Sequence, residues 1–331
     1  MKTFWLKSLI LSLLTICLFL GSSTEVKASP TKNSCPEGMV FIAGGTFNMG
    51  SDAHYASEHS APDITVNSFC MDKYEVTNAK FAQFVKETGY ITVAERPLSK
   101  EQFPDLSDDA RKPGSLVFQM AQPETKKIRY LSWWKWTPGA DWRHPFGPGS
   151  NINGKENYPV VQVSYEDVEA YAQWANMSLP TEAQWEYAAR GGLNDATYSW
   201  GEQYSEKKAN TWQGLFPVFN TKADGYIGTA PVGSFQPNGY GLYDITGNVW
   251  EWTSDWYRPG HDHKAHSLEP TGPSKKESFD PREPGVAKHV IKGGSYLCAP
   301  NYCSRYRPAA RESQSPDTGT THIGFRLVKS H

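Results

Sequence analysis

The chain has 331 residues, with 33 Lys and Arg against 35 Asp and Glu and a formal net charge of −2. That balance leaves no electrostatic footprint for nucleic acid, and no apolar run is long enough to span a bilayer, which takes about 20 residues. Aromatic residues make up 13% of the chain, 12 of them tryptophan, alongside 28 glycines and 23 prolines, which describes a loop-rich fold held by scattered aromatic anchors.

At the N-terminus, Lys2 and Lys7 precede an apolar run from Leu9 to Leu20, and Val26-Lys27-Ala28 offers small residues where a signal peptidase reads. The pattern predicts a cleaved secretory signal over residues 1–28 and a single mature domain over 29–331, exported to a periplasm or the cell exterior. Ile16 before Cys17 does not suit a lipid anchor. Cleavage removes Lys2, Lys7, Lys27 and Glu25 and takes the formal charge from −2 to −4. Four cysteines then remain, Cys35, Cys70, Cys298 and Cys303, and an oxidising compartment invites disulfides. Cys35 and Cys70 flank one N-terminal segment and are expected to pair across adjacent strands.

Strands are expected first, in "MVFIAGGTFNMG" and "DITVNSFCMDKYEV". "TNAKFAQFVKETG" follows as a helix, with Thr77 as N-cap, Gly89 as stop, and Phe81, Phe84 and Val85 on one face. Residues 91–158 show little periodicity. "VVQVS" predicts a strand. "SYEDVEAYAQWA" predicts a helix opened by Ser164 with Asp167 three residues on, close to a capping box, and "TEAQWEYAARGG" another, with Thr181 and Gln184 in the full box relation. A second aperiodic stretch covers 193–243. Residues 257–288 are polar and read as a surface excursion, with His261, His263 and His266 in a solvated loop. "KHVIKGGSY" and "IGFRLV" close the chain as strands. The tryptophans of "WWKWTPGADW" and "VWEW" read as core packing before groove lining. Asn176-Met177-Ser178 matches a glycosylation sequon.

Chemistry concentrates in "GGSYLCAPNYCSRYR", Gly293 to Arg307. Spacing leaves three readings of Cys298 and Cys303: a local disulfide, a soft-metal or redox centre, and a zinc site that lacks its second ligand pair. Oxygen-rich loops stand at Asn210 to Asp224 and at "GLYDITGNVWEW", where calcium binding competes with ordinary turn chemistry.

Over nearly all of the mature chain the sequence resembles the formylglycine-generating enzyme family, also called sulfatase-modifying factor. The resemblance runs from "GMVFIAGGTFNMGS" and "YEVTNAKFAQFV" through "LPTEAQWEYAARGG" to "NGYGLYDITGNVWEWTSDWY" and "KGGSYLCAPNYCSRYRPAARESQSPDTGTTHIGFR". Its specific mark is the cysteine pair in "GGSYLCAPNYC". The resemblance implies an α+β fold related to C-type lectins, with little regular secondary structure. It implies a monomeric oxidase that uses O₂ to convert the cysteine of a Cys-x-Pro-x-Arg segment in an unfolded sulfatase to Cα-formylglycine. Carried over, Cys298 and Cys303 become Cu(I) ligands, Ser295 and Tyr302 pocket residues, Trp250 a residue facing the oxygen site, and Arg311 a residue near the pocket. Two calcium sites are implied: one at Asn210, the Thr211 carbonyl, Asp224 and the Tyr226 carbonyl, the other at Asp244, the Gly247 and Val249 carbonyls, and Glu251. The competing expectation is a non-catalytic binding protein of the same fold, with Cys298–Cys303 as a structural disulfide. A relative that oxidises small thiols with iron would need a histidine-based metal site and usually a helical partner domain, and neither is visible.

Overall fold

Helix boundaries in this chain are set locally, by side chains that satisfy the orphan N–H groups of the first turn. In the computed structural model, which describes residues 34–101, 103–122, 132–261 and 266–331, helix α1 (Asn78–Thr88) starts where Thr77 Oγ1 accepts from Lys80 N, and stops at Gly89 in the left-handed region (φ +69°). Helix α2 (Tyr165–Trp174) has a reciprocal Ser164–Asp167 box, so Asp serves where Glu or Gln is usual. The same Asp167 also accepts from Val93 N at 2.9 Å and the Tyr90 hydroxyl at 3.1 Å, which ties a long loop to the helix start. Helix α3 (Glu182–Arg190) is boxed by Thr181 and Gln184 and ends at Gly191. Each such cap contributes about 1 kcal/mol. The signal segment expected at 1–28 lies outside the described residues, and a compact unit runs from Cys35 to His331.

Strands β1 (Met39–Ile42) and β4 (Phe69–Asp72) pair antiparallel, with Phe41 opposite Cys70. Cys35, just before β1, forms a disulfide with Cys70 at a Cα separation of 5.6 Å, as the pair-counting expected. Strands β2 (Gly45–Met49) and β3 (Ala61–Val66) form a hairpin. Later hairpins join β5 (Gly114–Phe118) to β6 (Trp134–Pro138) and β7 (Gly214–Leu215) to β8 (Phe219–Asn220), inside the stretches that lacked periodicity. Strands β9 (Trp250–Trp256), β10 (His289–Lys292), β11 (Arg311–Gln314) and β12 (Ile323–Gly324) make a sheet ordered β11-β10-β9-β12. Strand β13 (Val328–Ser330) returns to β4.

Two of the expected strands differ. "VVQVS" is buried but forms no strand, because Gln162 takes a positive φ of 62° and spends its amide on the Pro145 and Leu116 carbonyls. "IGFRLV" is broken between β12 and β13, where the Arg326 guanidinium turns into the core. The main core packs α1 and α2 on the sheet through Phe81, Phe84, Val168, Tyr171, Trp252 and Phe325. A second core sets Ala183, Trp185, Ala188 and Ala189 of α3 against Ile42, Phe47 and Ile64. A third, smaller one gathers Phe118, Trp133, Trp212, Phe216, Tyr296 and Leu297 beside the cysteine turn.

Candidate active site

Strand β10 ends at Lys292 and the chain leaves the sheet through Gly293 and Gly294, both at positive φ. A Cβ on Gly294 would lie 2.9 Å from the Arg305 carbonyl oxygen, so only glycine permits this exit. The turn beyond is held by its backbone: Cys298 N donates to Ser295 O (2.9 Å), Cys303 N to Ala299 O (2.8 Å), and Trp212 N to Cys298 O (3.0 Å). The result brings Cys298 Sγ to 2.8 Å from Cys303 Sγ, beyond the disulfide bond length of about 2.05 Å. Both are thiols, Cys298 buried and Cys303 partly exposed. Burial, reinforced by Cys303, pushes the Cys298 thiol well up. The hydrogen bond from Cys298 holds the Cys303 thiol down, with Arg305 adding to the effect.

The two sulfurs lie in a cavity of about 820 Å³. Ser295, Trp250 and Tyr302 line it, as expected from the sequence. So do Trp133 and Trp134, which the sequence placed in the core before a groove, and Phe216, His322, Arg305 and Glu312, which the sequence reading missed. The aromatic wall is packed ring on ring: Phe216 stacks on Tyr302 at 4.2 Å, and Trp133 meets Tyr302 edge-on at 5.4 Å. The tryptophans therefore serve both readings, Trp142 and Trp252 in the core and Trp133, Trp134 and Trp250 at the cavity.

Arg311 does not line this cavity. Side chains alternate along β11, so Glu312 faces the sulfurs' cavity while Arg311 enters the opposite side. There it pairs with Glu182 through two bonds of 2.8 and 2.7 Å. Lys292 reaches Glu186 at 2.9 Å and Glu182 at 3.3 Å, and Arg190 closes on Glu186 at 2.7 Å. These cations hold both carboxyls below the usual range against the cost of burial, Glu186 at about 2. His261, expected in a solvated loop, instead turns its ring nitrogens inward beside this network, and burial lowers it to about 3. His266 is exposed and pairs with Asp63; His263 lies outside the described residues.

The residues expected at the first calcium site come together. Asp224 accepts from Thr211 N (3.1 Å) and Tyr226 N (2.9 Å), and the Asn210 amide NH₂ is directed to Gly228 O and Asn248 Oδ1. At the second site Asp244 Oδ1 is buried with no hydrogen-bond donor among the described residues, and burial raises Asp244 to about 6. Glu251 behaves differently: Arg326 grips it through Nε and NH2 at 2.7 Å each, and Trp185 Nε1 donates to it at 2.8 Å. Near Asp244 lies a residue the sequence did not single out, Glu75, pushed up by burial and by the charge of Asp244. No three His, Cys, Asp or Glu side chains converge as a metal-binding group among the described residues. Sites built mainly from amide and carbonyl oxygens would not produce one. The donor types suit the expected ions: two soft sulfurs for Cu(I), oxygens alone for calcium.

Residues 23–331 match the family model of the sulfatase-modifying factor enzyme 1-like domain. The chain belongs to the formylglycine-generating enzyme family. It is 49% identical over 295 residues to the formylglycine-generating enzyme of Mycobacterium tuberculosis, covering 88% of this chain and 97% of that one. The corresponding Mus musculus enzyme is 45% identical over 300 residues, covering 88% of this chain and 75% of that protein. Among solved structures, PvdO from Pseudomonas aeruginosa superposes with a TM-score of 0.56 at 24% identity, covering 88% of this chain and 94% of that one, which shows the shared α+β fold. No helix among the described residues is long and apolar enough to cross a membrane.

Proposed function

We propose that the chain oxidises the cysteine of a Cys-x-Pro-x-Arg segment in an unfolded sulfatase to Cα-formylglycine, with O₂ as oxidant. The carrying observation is the pair of thiols 2.8 Å apart inside a cavity, in a chain so similar to named formylglycine-generating enzymes. Cys298 and Cys303 would hold Cu(I), and that ion would supply the activation of O₂. The protein's own part is to bury the sulfurs, exclude water and fix the substrate. The wall of Trp133, Trp134, Phe216 and Tyr302 offers flat apolar surface to an extended peptide, and Ser295 and Trp250 flank the sulfurs. In the reaction one Cβ–H and the Cβ–S bond break, a C=O forms, and sulfur leaves as sulfide. The substrate supplies two of the four electrons that reduce O₂ to water, and an external thiol supplies the other two. Two calcium ions, at the Asn210–Asp224 and Asp244 loops, are proposed as structural.

The test incubates the reduced, copper-loaded protein with a Cys-x-Pro-x-Arg peptide under air and follows peptide mass and hydrazide capture. An aldehyde in place of the thiol is expected. A peptide recovered unchanged would leave the non-catalytic binding protein as the reading.

A further inference from the structure

We infer that Tyr55 is a peptide-binding residue of the thiol cavity, held in register with the two sulfurs by three arginines of the segment that carries Cys303. This rests on the oxidase reading above and adds to its peptide site a residue from a distant part of the chain. Tyr55 lines the cavity together with Cys298 and Cys303 and is partly exposed. It leads into a single 3₁₀ turn, Ala56–Glu58, in which Glu58 N donates to Tyr55 O at 2.8 Å. Its ring joins the charged part of the lining. The Arg305 guanidinium lies 4.3 Å from the ring centroid, and Arg305 in turn pairs with Glu312.

Each residue from 55 to 58 that could anchor the turn is met by one of these arginines, except Ala56. Arg305 covers the Tyr55 ring, Arg311 Nη1 reaches Ser57 O at 3.3 Å, and Arg307 grips Glu58 through two bonds of 2.8 and 2.7 Å. All three arginines follow Cys303 closely in the chain. Glu58 and Arg307 are both buried. A buried ion pair adds little net stability compared with apolar packing; what this one sets is where the turn stands relative to the cysteine segment. The ring is thereby ordered before any ligand arrives, so covering its open surface costs little further entropy. The ligand that fits is an extended peptide whose cysteine reaches the sulfurs, because its neighbouring residues then run along this lining and can pack on a flat aromatic face.

The experiment uses the full chain, reduced and copper-loaded, with a fluorescein-labelled peptide that contains Cys-x-Pro-x-Arg. Binding is read by anisotropy without air, and conversion by steady-state kinetics under air. Tyr55→Ala should weaken binding about tenfold and raise KM by the same factor, with kcat changed less than about twofold. Tyr55→Phe, which restores the ring without the hydroxyl, should recover most of that loss. Tyr55→Leu keeps the bulk but not the flat face; it should lose about threefold, and it serves if the Ala variant does not fold. Wild-type affinity in Tyr55→Ala, or in Tyr55→Leu where it stands in, would overturn the role of Tyr55 and leave the oxidase reading standing. A fall in kcat with binding unchanged would overturn it too. A wild type that binds the peptide but returns no aldehyde would overturn the oxidase reading instead, and one that does not bind it would overturn both.

Discussion

The two faces of β10 carry buried polar groups under opposite regimes. Behind the strand, Lys292 meets Glu182 and Glu186, and the adjacent Arg311 completes a network in which every carboxylate has a cation. On the other face, Ile291 and Glu312 open onto the cavity of the two thiols, where Glu312 pairs with Arg282 and Arg305 and the thiols contact each other beside Arg305. The saturated side fixes the strand, since breaking any pair strands a buried charge. On the thiol side Ile291 and Cys298 pack in the main apolar core, and the sulfurs themselves take no part in the ion pairs that fix the strand. Rigidity and reactivity are separated by the thickness of one sheet.

The strongest test of that separation removes the sulfurs. Cys298→Ala and Cys303→Ala should each lower turnover at least about 1,000-fold with a melting temperature within a few degrees of wild type. Full activity in either variant would break the comparison. On the opposite face, Lys292→Ala should cost about 3–5 kcal/mol of stability by leaving Glu186 and Glu182 short of a cation, read by denaturant unfolding. A loss below about 1 kcal/mol would mean that the network is not saturated as described.

A smaller effect comes from His289, buried and sandwiched between Tyr165 at 3.5 Å and Trp256 at 3.7 Å. Burial lowers its pKa from 6.5 to about 4. The folded state thus resists a proton that the unfolded state accepts, so stability falls as pH drops from about 6.5 toward 4, by roughly 3 kcal/mol in all. His289→Gln should be less stable than wild type at pH 7.5 and lose less on going to pH 4.5. An identical pH profile in the two proteins would contradict the sign. The smallest expected effect is at the cavity mouth. Tyr302 is 38% exposed and stacked on Phe216, and Tyr302→Ala should raise KM for a peptide substrate about fivefold, with kcat little changed.

What could be read from the sequence follows the range of the interactions. The starts of the three helices were legible to the residue because Thr77, Ser164 and Thr181 act on groups three positions away. The disulfide and the cysteine turn were also legible, the turn through its glycines and the resemblance. The side of β11 that Arg311 takes was not, because a strand's parity is set by partners far along the chain; its own partner is Glu182, 129 residues earlier. Glu75 was missed for the same reason. In "YEVTN" it precedes a helix like any surface glutamate, and its burial depends on Asn248, 173 residues away. His261 was misread because polar neighbours resemble solvent in composition, while the fold had turned it toward buried charges.

The turn that presents the thiols is tied by main-chain N–H and C=O groups, from Ser295, Ala299 and Trp212. No side chain of Cys298 or Cys303 is needed to shape it. It works as a socket, into which evolution or a protein engineer can set other residues without rebuilding the wall. Close relatives could lose or exchange their chemistry by substitution at these two positions and keep the same outline. The positions themselves, more than the outline, then decide which members of such a lineage are enzymes.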